Sequence, residues 1–158
     1  MKGVLTEDEK KKLEELLTNQ YGIVDGLKNY VVIASGENRI RITHREVLEF
    51  SWRLKNVANI GLYVAKLSEN ELPLSIEGAQ LFSRMIKKNI VDLSLDDAEK
   101  WMRGEALKID APSSSKYVVA KCGDVFLGTG RVGRDGLVHP QIPRNRLTRQ
   151  GMKSAEDL

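Results

Sequence analysis

The sequence predicts an α+β protein in two parts, an α/β region over residues 1–87 and a smaller, mainly β region over residues 88–158. Helix and strand patterns alternate in the first part, whereas the second has one short helix followed by strand patterns. The joint lies near Lys87 and Lys88, where a helical pattern stops and a strand pattern begins. No flexible linker marks the joint, so we expect the two parts to pack rigidly together.

The first helix is predicted from its cap. Thr6 precedes Glu9 by three residues, which is a capping box, and the helix stops at Tyr21-Gly22. A strand follows at 29–34, where β-branched residues dominate. Residues 39–42 alternate arginine with isoleucine, so we expect a hairpin with both arginines on one face.

Two further helices flank a strand. Thr43 begins a second capping box, which predicts a helix through Phe50 or Trp52. Residues 60–67 are too apolar for a strand with one open face, so we predict a central strand. Ser75 caps the next helix, and apolar residues recur on it at helical spacing. These residues are Ile76, Ala79, Phe82, Met85 and Ile86.

The second part begins with a strand over 90–93 and a helix that runs from Ser94 to Arg103. Gly104 stands just past this helix, as expected of a glycine that ends one. A loop of Asp110, Ala111, Pro112 and serines precedes a strand that turns at 122–125 and returns through Arg131. A tail rich in glycine, proline and arginine completes the chain.

Composition limits the classes of function. The 158 residues are 41% apolar and 30% charged, as in a globular protein. One cysteine excludes an intramolecular disulfide and a cysteine-cluster zinc site, and no metal-ligand spacing is present. No apolar run reaches the length of a membrane span, and the N-terminus lacks the pattern of a signal peptide. We expect a cytoplasmic protein with no bound metal or cofactor.

Positive charge is concentrated at the C-terminal end. Up to Asp110 the chain has 17 Lys and Arg against 18 Asp and Glu, and from Ala111 onward it has eight against four. Arginine favours bidentate contact with phosphate, and Pro140 and Pro143 restrict the backbone that carries the last arginines. This distribution favours RNA or another polyanion as the partner, although a solvated basic surface is the alternative.

Four other features suggest different chemistry. Residues 128–130 spell Gly-Thr-Gly, but no helix follows, so the glycines more readily serve a bent strand or a close backbone contact than a dinucleotide. Cys122 is a candidate nucleophile, yet a small buried side chain is the favoured interpretation, since neither histidine stands in a Cys-His signature. His139 is either a proton-transfer group or a polar loop residue. Trp101 is expected in the core rather than stacked on a base.

From Trp101 onward the chain resembles a PUA domain, a small pseudo-β-barrel that binds RNA. Two pieces match. The first, residues 101–107, is the end of the helix with the residues that follow it, and the second, residues 118–131, is the hairpin. Residues 60–64 and 73–75 resemble the pre-PUA region. Together these pieces resemble the C-terminal half of the Nol/Nop/Fmu group of rRNA cytosine methyltransferases. The pairing of the two regions is also similar to an archaeal and eukaryotic assembly factor of the large ribosomal subunit.

The resemblance implies a pre-PUA α+β domain over 1–87 and a PUA RNA-binding domain over 88–158. It does not imply catalysis, because the chain has no Gly-rich cofactor loop and no Pro-Cys or Thr-Cys motif. The loop from Asp110 to Ser115 is also shorter than in PUA domains and lacks their Gly-Asp step. Adding the resemblance to the charge pattern, we predict RNA contacts at these residues: Arg103, Gly104, Lys116, Lys121, Arg131, Arg134, Arg144, Arg146 and Arg149.

The resulting hypothesis is a stand-alone, non-enzymatic RNA-binding protein that acts in ribosome biogenesis or in rRNA or tRNA modification. Its partners would be structured RNA and either an RNA methyltransferase or a ribosome-assembly protein, and the family suggests an archaeal source. Two alternatives stay open. One is a protein-interaction adaptor or accessory subunit of an RNA methyltransferase, and the other is an enzyme that uses Cys122.

Overall fold

A computed structural model describes residues 3–53, 60–112 and 115–147, and it contains helices and two four-stranded sheets. The elements run in the order β1 (Gly3–Val4), α1 (Glu7–Tyr21), β2 (Val31–Ser35), β3 (Arg39–Thr43), α2 (Arg45–Arg53), β4 (Leu62–Lys66), α3 (Ile76–Leu81), β5 (Ile90–Asp92), α4 (Leu95–Met102), β6 (Tyr117–Cys122), β7 (Val125–Val132) and β8 (Val138–Pro140). Short 3₁₀ turns cover Gly36–Asn38 and Arg144–Arg146. The predicted α+β class is confirmed.

The first sheet is antiparallel, with strand order β1-β2-β3-β4. Helix α1 begins with the predicted capping box: the Thr6 hydroxyl accepts from the Glu9 amide at 3.2 Å, and the Glu9 carboxylate accepts from the Thr6 amide at 3.0 Å. These hydrogen bonds lower the pKa of Glu9. Helix α1 ends at Gly22, whose φ of 72° a glycine adopts without strain. The buried side chains of this helix and of β2 and β3 form one core.

Two predictions about β4 and α2 are wrong. Strand β4 is last in the sheet order rather than central, and its second edge is met by an irregular segment, where the Lys66 amide donates to Pro73 O at 3.1 Å. Val64 and Ala65 are buried because this segment and α3 cover them, whereas Leu62 at the start of the strand is exposed. Thr43 does not cap α2, since it is the last residue of β3 and pairs with Val31. The helix starts one residue later than a Thr43 cap requires.

Helix α3 is shorter than its apolar spacing predicts. The helix ends at Leu81, and residues 82–85 form turns in which the Met85 amide donates to Phe82 O at 2.8 Å. This tightening keeps Phe82 and Ile86 in the core and leaves Met85 exposed. The predicted apolar face is therefore correct at Phe82 and Ile86 and wrong at Met85.

The second sheet has strand order β5-β6-β7-β8, with β5 parallel to β6 and the other pairs antiparallel. Its core surrounds Trp101, which is fully buried and donates from Nε1 to Leu127 O at 3.0 Å, so the prediction of a core role is confirmed. A Cβ at Gly130 would lie 2.5 Å from the Trp101 ring. Gly130 therefore allows close packing, as predicted in place of a cofactor loop.

The two parts of the chain share a packed interface at α3. The Thr129 hydroxyl, which is fully buried, donates to Leu74 O at 3.0 Å. The backbone of Gly128 lies against Ile76, where an added Cβ would approach the Ile76 side chain to 3.3 Å. Val119 and Phe126 of the second sheet belong to the core cluster of the first. Helix α3 is thus packed between β4 and β7.

None of the helices in the described ranges combines the length and the apolar content needed to span a bilayer.

We expect Gly78→Ala to lower the free energy of unfolding by about 3 kcal/mol, because a Cβ at this buried position would overlap the carbonyl oxygen of Val64. The matched control is Gly36→Ala, where a Cβ meets nothing within 4 Å and should change stability by at most about 1 kcal/mol. Urea unfolding of both variants measures the difference. Equal midpoints would contradict the packing of α3 on β4.

Candidate nucleic-acid interface

The loop after α4 and the C-terminal tail are in contact. Gly104 has a φ of 83°, and a Cβ placed on it would lie 2.9 Å from Cδ2 of Leu147. Pro143 leads into the 3₁₀ turn that carries Arg144 and Arg146. The fold therefore brings two predicted sites together, the α4–β6 loop with Arg103 and Gly104 and the tail with its arginines.

A second group of predicted cations lies at the open end of the β6–β7 hairpin. Arg131 pairs with Tyr117 across the hairpin, and the Val132 amide donates to Lys116 O at 2.9 Å. Arg134 is exposed in the turn between β7 and β8. Lys116, Arg131 and Arg134 are therefore neighbours at one end of the second sheet.

Lys121 lies apart from both groups. It pairs with Phe126 near the closed end of the same hairpin, and its Nζ stands 5.8 Å from the centre of that ring. Arg131 comes five positions after Phe126 along β7, which corresponds to about 17 Å of strand. The predicted cations consequently form separate groups, and Arg149 lies outside the described residues.

Three of the predicted cations are paired with carboxylates. Lys116 Nζ lies 3.0 Å from Glu69 Oε2, Arg103 Nε lies 2.6 Å from Glu105 Oε2, and Arg146 donates to Glu77. The first and last pairs join residues 47 and 69 positions apart, and their acids come from the first part of the chain. Charge counting along the C-terminal stretch missed these acids, because only the folded structure brings them near.

The ion pairs change the acidity of their carboxyl groups. The hydrogen bond and the charge of Lys116 lower the pKa of Glu69, and the charge of Arg131 lowers it further. Partial burial by itself raises the pKa of Glu77, but the hydrogen bond from Arg146, helped by backbone contact and charge, lowers it overall. Both carboxylates are therefore held in the ionised form that competes with phosphate for these cations.

A groove of about 710 Å³ lies between the first sheet and the tail. One wall carries Arg39, Arg41, Tyr63 and Lys66, and the opposite wall includes Arg146. Of these five residues, only Arg146 was among the candidates predicted from the sequence. The alternation of arginine with isoleucine in β3 was the available signal, since it places both arginines on one face.

Cys122 and His139 do not form a pair. Cys122 stands at the closed end of the hairpin, half-buried rather than fully buried as predicted, because it borders the turn. His139 pairs with Arg131 at the open end, and its Nε2 lies 3.0 Å from an oxygen of Asp135. The Leu137 amide and the His139 ring lower the pKa of Asp135 despite slight desolvation. Among the described residues, no group of three or more His, Cys, Asp or Glu is arranged to hold a metal.

Residues 88–148 match the family model of the methyltransferase RsmF PUA domain. These residues form a PUA-type domain. The match begins beside β5 and extends past the 3₁₀ turn of the tail, so it includes the whole second sheet. A comparison with curated proteins found no match to the chain.

The match confirms the resemblance to the C-terminal part of Fmu/Nop-type methyltransferases and the assignment of a C-terminal PUA-type sheet domain after an N-terminal α/β region. It covers less than half of the chain, and residues 1–87 lie outside it. A PUA domain implies RNA binding. All but one of the residues predicted to contact RNA fall within the matched range, the exception being Arg149.

We expect Lys116→Met to raise the pKa of Glu69 toward its ordinary value, since the hydrogen bond from Lys116 is the main cause of its depression. A lowered pKa in the folded state means that the pair contributes stability above the ordinary pKa and loses it as pH falls through the folded value. An NMR titration of the Glu69 carboxyl carbon measures this change. Arg131→Met is the matched control and should cause a smaller rise; an equal rise would contradict the Lys116 pairing.

Proposed function

We propose that the protein is a non-enzymatic RNA-binding protein that holds structured RNA against the α4–β6 loop and the C-terminal tail. The observation that supports this function best is the contact between Gly104 and Leu147, which brings Arg103 and the tail arginines, about forty residues apart in sequence, to the same part of the fold. This surface lies in the part of the chain that matches the PUA domain.

The arginines of this surface suit phosphate recognition. Arg144 and Arg146 are exposed and Arg103 is partly exposed, so an RNA backbone has access to each side chain. Exposed ion pairs contribute little to stability, about 0–1 kcal/mol, so phosphate replaces a carboxylate partner at low cost. Neutralising phosphates releases counterions, which makes the affinity fall steeply as salt rises. Contacts to shape and 2′-hydroxyls rather than to base edges would select a structured RNA.

The proposal extends to the cellular role. The RsmF PUA domain belongs to a methyltransferase by its description, and this supports a role in ribosome biogenesis or in rRNA or tRNA modification. We place the protein in the cytoplasm of an archaeal cell, with an RNA methyltransferase or a ribosome-assembly protein as its partner. In this role the chain contributes RNA binding, and the partner contributes any chemistry.

One observation favours the alternative of a protein-interaction adaptor. Val47 and Phe50 lie three residues apart on α2, and both are exposed. An apolar pair on a helix face suits contact with another protein. An adaptor would retain partner binding when the tail arginines are removed, whereas RNA binding would be weakened by that change.

We expect Arg144→Ala combined with Arg146→Ala to weaken binding to structured rRNA or tRNA fragments. The slope of log affinity against log salt should also become shallower by about 0.9 for each phosphate that the variant no longer neutralises. Fluorescence anisotropy titrations over a range of salt concentrations measure both quantities. The matched control is Lys11→Ala with Lys12→Ala, which removes two exposed cations from α1 and should leave binding unchanged.

Two results would overturn this function. One is the absence of binding to any of these RNA fragments at low salt. The other is an affinity and a salt slope that are equal in the tail variant and the wild type.

The Glu77→Gln variant should bind structured RNA more tightly, by about 1.5- to 5-fold, because it removes the carboxylate that competes for Arg146. Glu14→Gln on α1 is the control for the change in net charge alone. The same anisotropy titration gives the comparison. A similar gain in both variants would show a general charge effect rather than competition at Arg146.

A further inference from the structure

We propose that the groove between the first sheet and the tail binds a short single-stranded segment of RNA. The inference rests on the proposed function, because the segment would continue from RNA held by the tail. It assigns a binding role to residues outside the PUA match. These residues are Arg39, Arg41, Tyr63 and Lys66.

The strand register puts all four side chains on one face of the first sheet. Arg39 pairs with Lys66, and Arg41 pairs with Tyr63, so each pair shares a face. Arg39 and Arg41 are two residues apart in β3, so their side chains also lie on the same face of the sheet. Tyr63 and Lys66 are three apart and would point to opposite faces in a regular strand.

A β-bulge resolves this difference. The register of β3 against β4 shifts between Ile40 and Arg41, which leaves an extra residue in β4 between Tyr63 and Ala65. Val64 and Ala65 are both buried, as expected where consecutive residues occupy a bulge. The bulge thus turns Tyr63 toward the face of the three cations.

The resulting surface combines positive charge with an aromatic ring. The guanidinium carbons of Arg39 and Arg41 lie 5.5 Å and 5.9 Å from the centre of the Tyr63 ring. Unpaired bases stack on tyrosine rings and on arginine planes, whereas bases in a duplex are already stacked on one another. Cations and a ring on one face therefore suit single-stranded RNA better than a double helix.

One donor in the groove lacks a partner. Nε of Arg41 is shielded from solvent and makes no hydrogen bond among the described residues, while its NH1 group donates to Gly61 O at 3.2 Å. A shielded donor without an acceptor is costly, so a phosphate or base oxygen that reached it would gain a strong hydrogen bond. Glu77 in the groove wall accepts from Arg146, and Glu37 forms an exposed ion pair with Arg39 at 3.3 Å, so neither acid lies near Nε of Arg41 as an acceptor.

The groove is continuous with the proposed RNA surface. Its second wall is formed by Gln141, Pro143 and Arg146 of the tail, directly beside Arg144. A strand whose phosphates contact the tail arginines would enter the groove without crossing another element. A free anionic metabolite could bind the same cations, but it would gain no affinity from the adjoining tail surface.

The test uses oligouridine and oligoadenosine of about eight nucleotides, within the usual site size for single strands. The variant is Arg39→Ala with Lys66→Ala, since both side chains are exposed enough to change without disturbing the core. We expect it to weaken oligonucleotide binding about tenfold and to lower the salt slope by about 0.7 for each phosphate that it no longer neutralises. The control is Lys11→Ala with Lys12→Ala, which should bind like the wild type.

Tyr63 provides an independent test of stacking. Tyr63→Leu should weaken binding of the oligonucleotides about tenfold, whereas Tyr63→Phe keeps the ring and should retain the wild-type affinity. Thermal unfolding of each variant separates loss of binding from loss of fold. Equal weakening by both substitutions would contradict stacking on this ring.

The outcomes separate this inference from the proposed function. The inference fails if the wild type does not bind the oligonucleotides, or if the groove variants bind them as tightly as the wild type does. It also fails if the groove substitutions weaken binding of a fully paired hairpin as much as they weaken binding of the oligonucleotides. In each of these cases structured RNA can still bind through Arg144 and Arg146, and the proposed function stands. Loss of binding to structured RNA and oligonucleotides alike in the wild type would overturn both.

Discussion

The packing of α3 between the two sheets is the constraint on which the rest of the structure depends. Gly78 lets the helix approach β4 to a distance that no side chain would permit, and Gly128 lets β7 approach the start of the same helix at Ile76. Interiors are packed as densely as organic crystals, so a shift at either glycine would move one sheet against the other. The groove and the basic surface beside it lie where the two parts meet, and both therefore depend on this contact.

The segment before α3 holds its position through side chains, because it forms little regular structure. The Tyr21 hydroxyl donates to Leu72 O at 2.8 Å, Gln20 accepts from the Leu72 amide at 2.6 Å, and Thr129 donates to Leu74 O. Burial raises the pKa of Tyr21 and keeps its hydroxyl protonated as a donor. Buried backbone groups need partners, and here residues from both parts of the chain supply them.

Local features of this fold could be predicted from sequence, and features that join distant segments could not. The Thr6 capping box, the Ser94 cap and the turn at Gly123, with its φ of 59°, each depend on residues within a few positions of one another. The edge position of β4 and the early end of α3 depend instead on which elements pack nearby. Arg103 and Gly104 were predicted as a site with the tail by family resemblance, and the Leu147 contact supplies the physical reason for their proximity.

Net charge was a poor guide to the first part of the chain for the same reason. Seventeen cations against 18 acids suggest no attraction for RNA over the first 110 residues. A potential at a surface depends on where charges lie, however, and the β3–β4 register collects Arg39, Arg41 and Lys66 on one face. The bulge that completes this face comes from a shift in pairing between two strands, and no property of either strand alone specifies it. Conversely, Glu69 and Glu77 reach across to the basic second part and offset some of its charge. Folding therefore sets acids of the first part against cations of the second, and it gathers Arg39, Arg41, Lys66 and Arg146 around one groove.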